Sequence, residues 1–371
     1  MRARNTVFIA IEVGQGDAFF MERGDKTLLV DGGGCLRFHR RFVKATGRNQ
    51  VNVLVCTHND SDHAKGVLGF LKGGLKADEV WLPASWMDRL VDLVLNPRDF
   101  FEELIGEIEE ARDVQATLLS NTGGRYAELV DKESMVVQVD SDVLYDTLEK
   151  PHKKSRVHYW IGLTRSARTR ELLIKALSGA NLIREITIAA CHAGSSIKWF
   201  DYIGNRPVHA FGGLSDLLVP VNAFEVARIK RPRRSALRYI LLTLQNQQSL
   251  VFMSPNEEEK PGALFTADSD LSFCQQIQWH DRMIITSPHH GSEANKEAYV
   301  RLSNEAKGIE DVVWVRSDRR SISRPGKSYL TSSGRKYCTW CRHSKLPKQD
   351  VWLELAHNTW KAVHTRKCQC Y

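Results

Sequence analysis

The chain has 371 residues, 42% hydrophobic and 26% charged, which fits one large or two ordinary globular domains with a full core. No apolar run approaches the length of a membrane span. Met1-Arg2-Ala3-Arg4-Asn5-Thr6 passes straight into a strand-like segment without a signal-peptide apolar region, so a cytoplasmic location is expected. The net charge of +8 lies at the edge of the basic range that points to a polyanionic partner.

Two apolar strands are predicted within residues 6–20, on either side of Gly14-Gln15-Gly16-Asp17, followed by a hairpin turn at Glu22-Arg23-Gly24-Asp25-Lys26. Thr27-Leu28-Leu29-Val30 reads as a third strand, ending in Asp31 and three glycines. A phosphate cradle needs a following Lys-Ser/Thr, which is missing, so Gly32-Gly33-Gly34 reads as a sharp turn or a close backbone approach. Residues 38–46 predict a short basic helix. The run Val51-Asn52-Val53-Leu54-Val55-Cys56 then predicts a buried strand that leads into His58, Asp60, Asp62 and His63. Two imidazoles and two carboxylates on one loop suit zinc, manganese or iron. A polar turn capping the helix that starts near Ala64 would explain one of these residues, not four.

A helix over 64–71 and a strand over 78–83 complete an α/β plan. From about 85 to 183 the pattern becomes helical, with helices predicted over 99–113 and 165–177 and a basic cluster, His152-Lys153-Lys154-Ser155-Arg156. This stretch reads as an insertion on the α/β core: a cap, a partner surface, or decoration. Strands are predicted again at 185–190, 196–200 and 217–220. The basic run containing Lys230, Arg231, Arg233 and Arg234 is either a solvated loop or a patch for nucleic-acid phosphates. Strands at 239–244 and 249–254 follow, then one running into Asp268 and one running into His289-His290. Strand ends that share a sheet edge are a natural place to assemble a site. His192 is a rival ligand, better read as a satisfied histidine, and His209 carries no functional reading.

In chain order the sequence shows Gly14-Gln15-Gly16-Asp17-Ala18, Leu29-Val30-Asp31-Gly32-Gly33, His58-x-Asp60-x-Asp62-His63, Asn246-x-x-Ser249-Leu250-Val251, Phe265-Thr266-Ala267-Asp268 and His289-His290-Gly291-Ser292. This series resembles the metallo-β-lactamase-fold hydrolases. Within them it looks most like the soluble domain of the DNA-uptake competence channel ComEC. The resemblance implies a four-layer αββα sandwich over residues 1–325, with one or two divalent ions, zinc or manganese, at one edge. It implies that His58 and Asp60 hold one ion and that Asp62 and His63 hold the second. Asp268 would bridge them, and His290 or His289 would complete the second site. Asp31 would orient the ligand loop.

The implied activity is hydrolysis of phosphodiester bonds through a metal-activated water, most simply by a nuclease acting on DNA or RNA. Asp60, Asp62 and Lys65 would stand at the reacting centre, with Lys65 either contacting a substrate phosphate or simply exposed. Alternatives are a hydrolase of a small phosphodiester, ester or lactam, and an inactive metal-binding interaction module. A regulatory protein partner fits several of these. Two departures from the family pattern bear on the first ion. Asp60 stands where many relatives have His, and Asn246 stands where a third histidine is usual.

Of eight cysteines, Cys35, Cys56, Cys191 and Cys274 read as scattered thiols of a reducing compartment. Cys338, Cys341, Cys368 and Cys370 form a C-x2-C and C-x-C arrangement that predicts a structural zinc site in a basic C-terminal module over 326–371. His343 or His364 could replace one thiolate; unligated thiols are the other reading.

Overall fold

The computed structural model describes residues 6–110, 167–228, 233–243, 248–257, 260–321, 323–341 and 347–370. Two sheets carry the fold. The first contains β1 (Val7–Ala10), β2 (Phe19–Arg23), β3 (Lys26–Val30), β4 (Gln50–Val55), β5 (Lys76–Pro83), β6 (Ser196–Tyr202), β8 (Ala223–Val226), β14 (Val351–Ala356) and β15 (Thr359–Ala362). Its order is β15-β14-β1-β2-β3-β4-β5-β6-β8. The second contains β7 (Val219–Pro220), β9 (Phe252–Ser254), β10 (Ala263–Phe265), β11 (Ile284–Thr286), β12 (Val313–Arg316) and β13 (Arg335–Cys338), in the order β13-β12-β11-β10-β9-β7.

Strand alternation decides which side chain goes where. On β1, Phe8 and Ala10 enter a cluster that also takes Phe265 of β10, Ile284 of β11 and Val315 of β12, so this core lies between the two sheets. Ile9, one position on, points the other way and packs with helical residues. Those helices are α1 (Phe38–Thr46), α2 (Ser61–Lys72), α3 (Met87–Leu95), α4 (Pro97–Glu110), α5 (Ala167–His192) and α6 (Ala236–Thr243). On the far face of the second sheet, Leu264, Ile285 and Trp314 meet Tyr299 and Leu302 of α7 (Lys296–Glu305) and Tyr329 of α8 (Lys327–Thr331). The chain is thus a mixed α/β structure with large sheets and with helices outside them.

Three expectations from the sequence change. The strand expected at 185–190 is the last part of α5, and the strand expected at 239–244 is α6. Short β-branched runs resemble strands locally. Their buried positions instead recur every three or four residues, at Ala176, Ala180, Ile183, Ile186 and Ala190 in α5 and at Ala236, Tyr239, Ile240 and Thr243 in α6. The expected C-terminal module is not set apart at residue 325. β13 extends the second sheet, and β14 lies antiparallel to β1 with Val7 opposite Glu354 and Ala10 opposite Val351. Val351, Leu353 and Trp360 belong to the core between the sheets, which is what builds these late strands in.

Of the insertion, α3, α4 and α5 are described, and Arg89 of α3 donates to both carboxylate oxygens of Glu103 on α4. The cluster at 152–156 lies outside the described residues. Among the described residues no helix is long and apolar enough to cross a membrane.

Candidate metal centre

The ends of β2, β3, β4, β10 and β11 meet at one edge. β4 delivers the loop to Asp60, which immediately precedes α2, so Asp62 and His63 sit in that helix's first turn. The helix comes very close to the end of β3. A Cβ added to Gly66 would lie 1.8 Å from the Gly32 carbonyl oxygen, so both positions require glycine. Two backbone bonds fasten the contact: Gly32 N–H to the His63 carbonyl at 3.1 Å and Gly66 N–H to the Gly33 carbonyl at 2.8 Å. The opposite wall is under backbone strain. Ala267, His289 and His290 all hold positive φ, at 46°, 46° and 54°. Such conformations cost about 1–3 kcal/mol each and persist where the surroundings impose them.

Two donor sets result, and both contain Asp268. Asp17, His63, Asp268 and His290 offer one atom each, all within 4.8 Å of one another; His58, Asp60 and Asp268 do the same. His63 Nε2 lies 3.2 Å from Asp268 Oδ1, and His290 Nε2 lies 3.5 Å from the same oxygen. His58 Nε2 lies 3.8 Å from Asp268 Oδ2. These three imidazole nitrogens are buried and have no hydrogen-bond partner among the described residues. The short His63–Asp268 separation lacks the direction of a hydrogen bond, so proximity there does not satisfy the nitrogen. Their other nitrogens are held. His63 Nδ1 is 2.8 Å from Asp31 Oδ2, His290 Nδ1 is 3.1 Å from Asp17 Oδ1, and His58 Nδ1 is 3.0 Å from the Thr57 hydroxyl. A carboxylate on Nδ1 fixes the tautomer in which Nε2 carries the lone pair, as a metal ligand requires. A divalent ion in each set would give these nitrogens the partner that burial denies them, so the residues present fit such ions.

The electrostatics agree. Burial alone would push Asp268 up and His63 and His290 down. The reverse occurs, because the three oppose one another at close range: Asp268 falls well below the carboxylate range, and the two histidines rise well above 6.5. Asp62 is also subject to burial, but His290 and His63 hold it below the usual carboxylate range. Asp60, half-buried, is pushed up to about 7 by desolvation and by the charges of Asp62 and Asp268. His58 falls to about 4 through burial and the neighbouring His63. The site stores mutual charge that a cation can rearrange.

Residues 11–76 match the metallo-beta-lactamase superfamily. A comparison with curated proteins finds no match. The matched stretch ends well before Asp268 and His290; the geometry is what brings these to the His58–His63 loop.

Of the residues singled out in the sequence, His58, Asp60, His63, Asp268 and His290 fall into the two sets. Asp62 lies beside them, with Oδ2 3.5 Å from His290 Nε2 and accepting a 3.1 Å bond from the Gln15 amide. His289 is partly exposed, with Nε2 3.6 Å from Asp268 Oδ2. Asp31 bridges His63 to Thr57, accepting from the Thr57 N–H at 2.9 Å and its hydroxyl at 2.7 Å. Lys65 is half-buried on α2 and forms no ion pair among the described residues, whereas Lys175 of α5 acts on Asp60 and opposes part of the rise that burial, Asp62 and Asp268 cause. Asn246, Lys230 and Arg231 lie outside the described residues. Arg233 pairs with Asp92 at 3.3 Å and Arg234 with Asp88, so these two cations already face acidic residues of α3. His192 and His209 join neither donor set.

Asp17, Gln15, Thr57 and Lys175 join the site without a role that their local sequence assigns. Asp17 carried a readable signal, since it closes the Gly14-Gln15-Gly16 turn just before a strand. The partner on His290, 273 residues away, was not readable.

The cysteines make a second cluster. Cys338, Cys341, Cys368 and Cys370 each place a sulfur within 4.8 Å of the others, all four are buried, and none is in a disulfide. His364 is exposed, and His343 lies outside the described residues.

Proposed function

We propose that this chain is a metal-dependent hydrolase of phosphodiester bonds whose substrate is nucleic acid. The observation that carries this reading is the sharing of Asp268 by two donor sets, with three buried imidazole nitrogens turned toward it. A pair of sites with a common carboxylate suits phosphoryl transfer, where charge on both the attacking and the leaving oxygen needs a counter-charge. Zinc or manganese ions held there supply that charge and lower the pKa of a water molecule. The protein's own part is orientation. Asp31 and Asp17 set His63 and His290, Thr57 sets His58, and Gln15 sets Asp62. Lys175 and Lys65, on neighbouring helices, are the cations proposed to meet a substrate phosphate. The net charge of +8 supports a polyanionic substrate, through release of its counterions. The αββα name for the layering, the likeness to the competence branch, and a structural zinc ion on the four cysteines belong to the same proposal.

The test is cleavage of single-stranded DNA, double-stranded DNA and RNA by protein loaded with manganese or zinc, beside a variant carrying Asp62→Ala and His63→Ala. Metal-dependent cleavage that the variant loses is the expected result. Cleavage of bis-(p-nitrophenyl) phosphate with no action on nucleic acid assigns a small substrate instead. Equal activity in the variant overturns the site, and bound metal without any turnover makes the chain an interaction module.

A further inference from the structure

The four cysteines sit at the end of β13 and on the C-terminal tail, behind the strained turn that carries His290. The tail is pinned to the strand by the Cys368 N–H, which donates to the Lys336 carbonyl at 2.8 Å, and by a bridge between Tyr337 and Lys367. Two further amides point at sulfur: Gln369 N–H to Cys341 Sγ at 3.3 Å and Cys370 N–H to Cys368 Sγ at 3.4 Å. Such bonds stabilise thiolates more than thiols. Four thiolates on one tetrahedral zinc at about 2.3 Å stand roughly 3.8 Å apart, which suits sulfurs that all lie within 4.8 Å of one another. A multi-iron cluster would spread its thiolates further. The positive charge such a site needs nearby is present in buried Arg316 and half-buried Lys336.

Arg316 is the link between the two clusters. It stands at the end of β12, wholly buried, and each of its three nitrogens has a different partner. Nη1 donates to the carbonyl of Trp340, between Cys338 and Cys341, at 3.1 Å. Nε donates to the carbonyl of His290 at 2.7 Å, and Nη2 donates to Asp318 at 2.6 Å. The side chain also packs on Gly291, where an added Cβ would come within 3.2 Å of Arg316 Cδ. One rigid guanidinium therefore spans the cysteine loop and the backbone of a histidine in the acidic site.

We propose that Cys338, Cys341, Cys368 and Cys370 hold a structural zinc ion that positions His290 through Arg316, so that filling the thiolate site sets the affinity of the histidine–aspartate site for its metal. This rests on the reading of the latter as a metal centre but not on its turning over a substrate. Without zinc the Trp340 carbonyl loses its fixed place. Arg316 is then held at two points rather than three, and the strained His289-His290 turn loses part of what imposes it.

The experiment uses the full chain. Cobalt replaces zinc, and the thiolate-to-cobalt charge-transfer band reports the cysteine site. Manganese, a hard ion that avoids thiolates, is titrated well below the unfolding midpoint to report the other site. Wild-type protein should show the band. The variant with Cys368→Ser and Cys370→Ser should lose it and bind manganese about 10–100-fold more weakly, the usual loss when a residue that orients a ligand is removed. Arg316→Lys should keep the band and still bind manganese more weakly by a similar factor.

If the serine variant does not fold, the structural role of the ion is supported and Arg316→Lys decides the coupling. A wild type without the band, whose cysteines are disulfide-bonded or hold iron, overturns the zinc site. A wild type that binds no manganese, or an Arg316→Lys protein with wild-type manganese affinity, overturns the coupling. Bound manganese without turnover in the wild type sinks the hydrolase reading alone.

Discussion

Replacing Asp31 with asparagine tests how the centre is oriented, because the change preserves shape and removes only the pattern of acceptors. Asp31 is wholly buried, with its backbone at φ 58°. Oδ1 accepts from the Thr57 N–H at 2.9 Å, and Oδ2 accepts from the Thr57 hydroxyl at 2.7 Å and faces His63 Nδ1 at 2.8 Å. An asparagine has two ways to fit. With its oxygen on the Thr57 amide, its NH2 donates to His63 Nδ1, which puts the histidine's proton on Nε2, the nitrogen turned toward Asp268. With the amide flipped, NH2 meets the Thr57 N–H, and two buried donors face each other at a cost of about 1–3 kcal/mol. Wild-type His63 gives its Nε2 proton up to a metal and keeps Nδ1–H on Asp31, whereas with an asparagine NH2 on Nδ1 that proton loses its acceptor. Either arrangement therefore predicts metal affinity lower by about 10–100-fold, or roughly 1.4–2.7 kcal/mol. Calorimetric titration of manganese into metal-free wild type and Asp31→Asn measures this directly. Asp31→Asn with wild-type affinity and an unchanged unfolding midpoint would show that Asp31 does not set the tautomer of His63, and would refute the reasoning.

Three other outcomes follow from the same geometry. Asp268→Ala removes the member common to both donor sets, so metal content at the histidine–aspartate centre should fall to background by elemental analysis; a variant that keeps one ion there would show that the sets are independent. Gly66→Ala forces a methyl group to within 1.8 Å of the Gly32 oxygen and should destabilise the fold by about 3 kcal/mol or more in urea, with metal affinity falling as α2 shifts; a loss under about 0.5 kcal/mol would disprove the contact. In the metal-free protein His63 and His290 titrate above 6.5, so their ion pairs stabilise the fold fully below that value and fade as pH rises through their raised pKa. Asp60 is protonated in the fold up to about 7, so ionising it above its unfolded value also costs stability as pH rises. A metal displaces all of these protons, so its stabilising effect should grow between about pH 6 and 8, with protons released on binding; a shift in unfolding midpoint that is flat with pH would count against these groups as ligands.

Legibility in the sequence followed distance along the chain. His58, Asp60, Asp62 and His63 can be read together because a loop after a buried strand keeps them adjacent, whatever the rest of the fold does. Gly32 and Gly66 mark one close approach, but nothing in the sequence around either says that they approach each other; that contact exists only once β3 and α2 are packed. Asp17, before β2 of the first sheet, belongs with His290, after β11 of the second, and Arg316 joins His290 to Trp340 across neighbouring strand ends of the second sheet; none of these contacts is local in sequence. Local pattern also misjudged the covering elements. Ile186-Thr187-Ile188 is β-branched and strand-like over five residues, and helical only when the apolar stripe from Ala176 to Ala190 is followed over several turns.

The late strands show the same limit from the other side. The cysteine spacing is legible and suggests a C-terminal module over 326–371. Yet β14 is needed to cover β1, and Val351 and Leu353 are as deeply buried as Phe8. The cysteine cluster lies between the end of core strand β13 and the C-terminal tail, so the tail is tied to the second sheet. Truncation before residue 326 should accordingly not yield a folded domain. It would expose the apolar edge of β1 and strip β13 from β12, and a soluble, cooperatively unfolding fragment 1–325 would show that the late strands are an accessory after all.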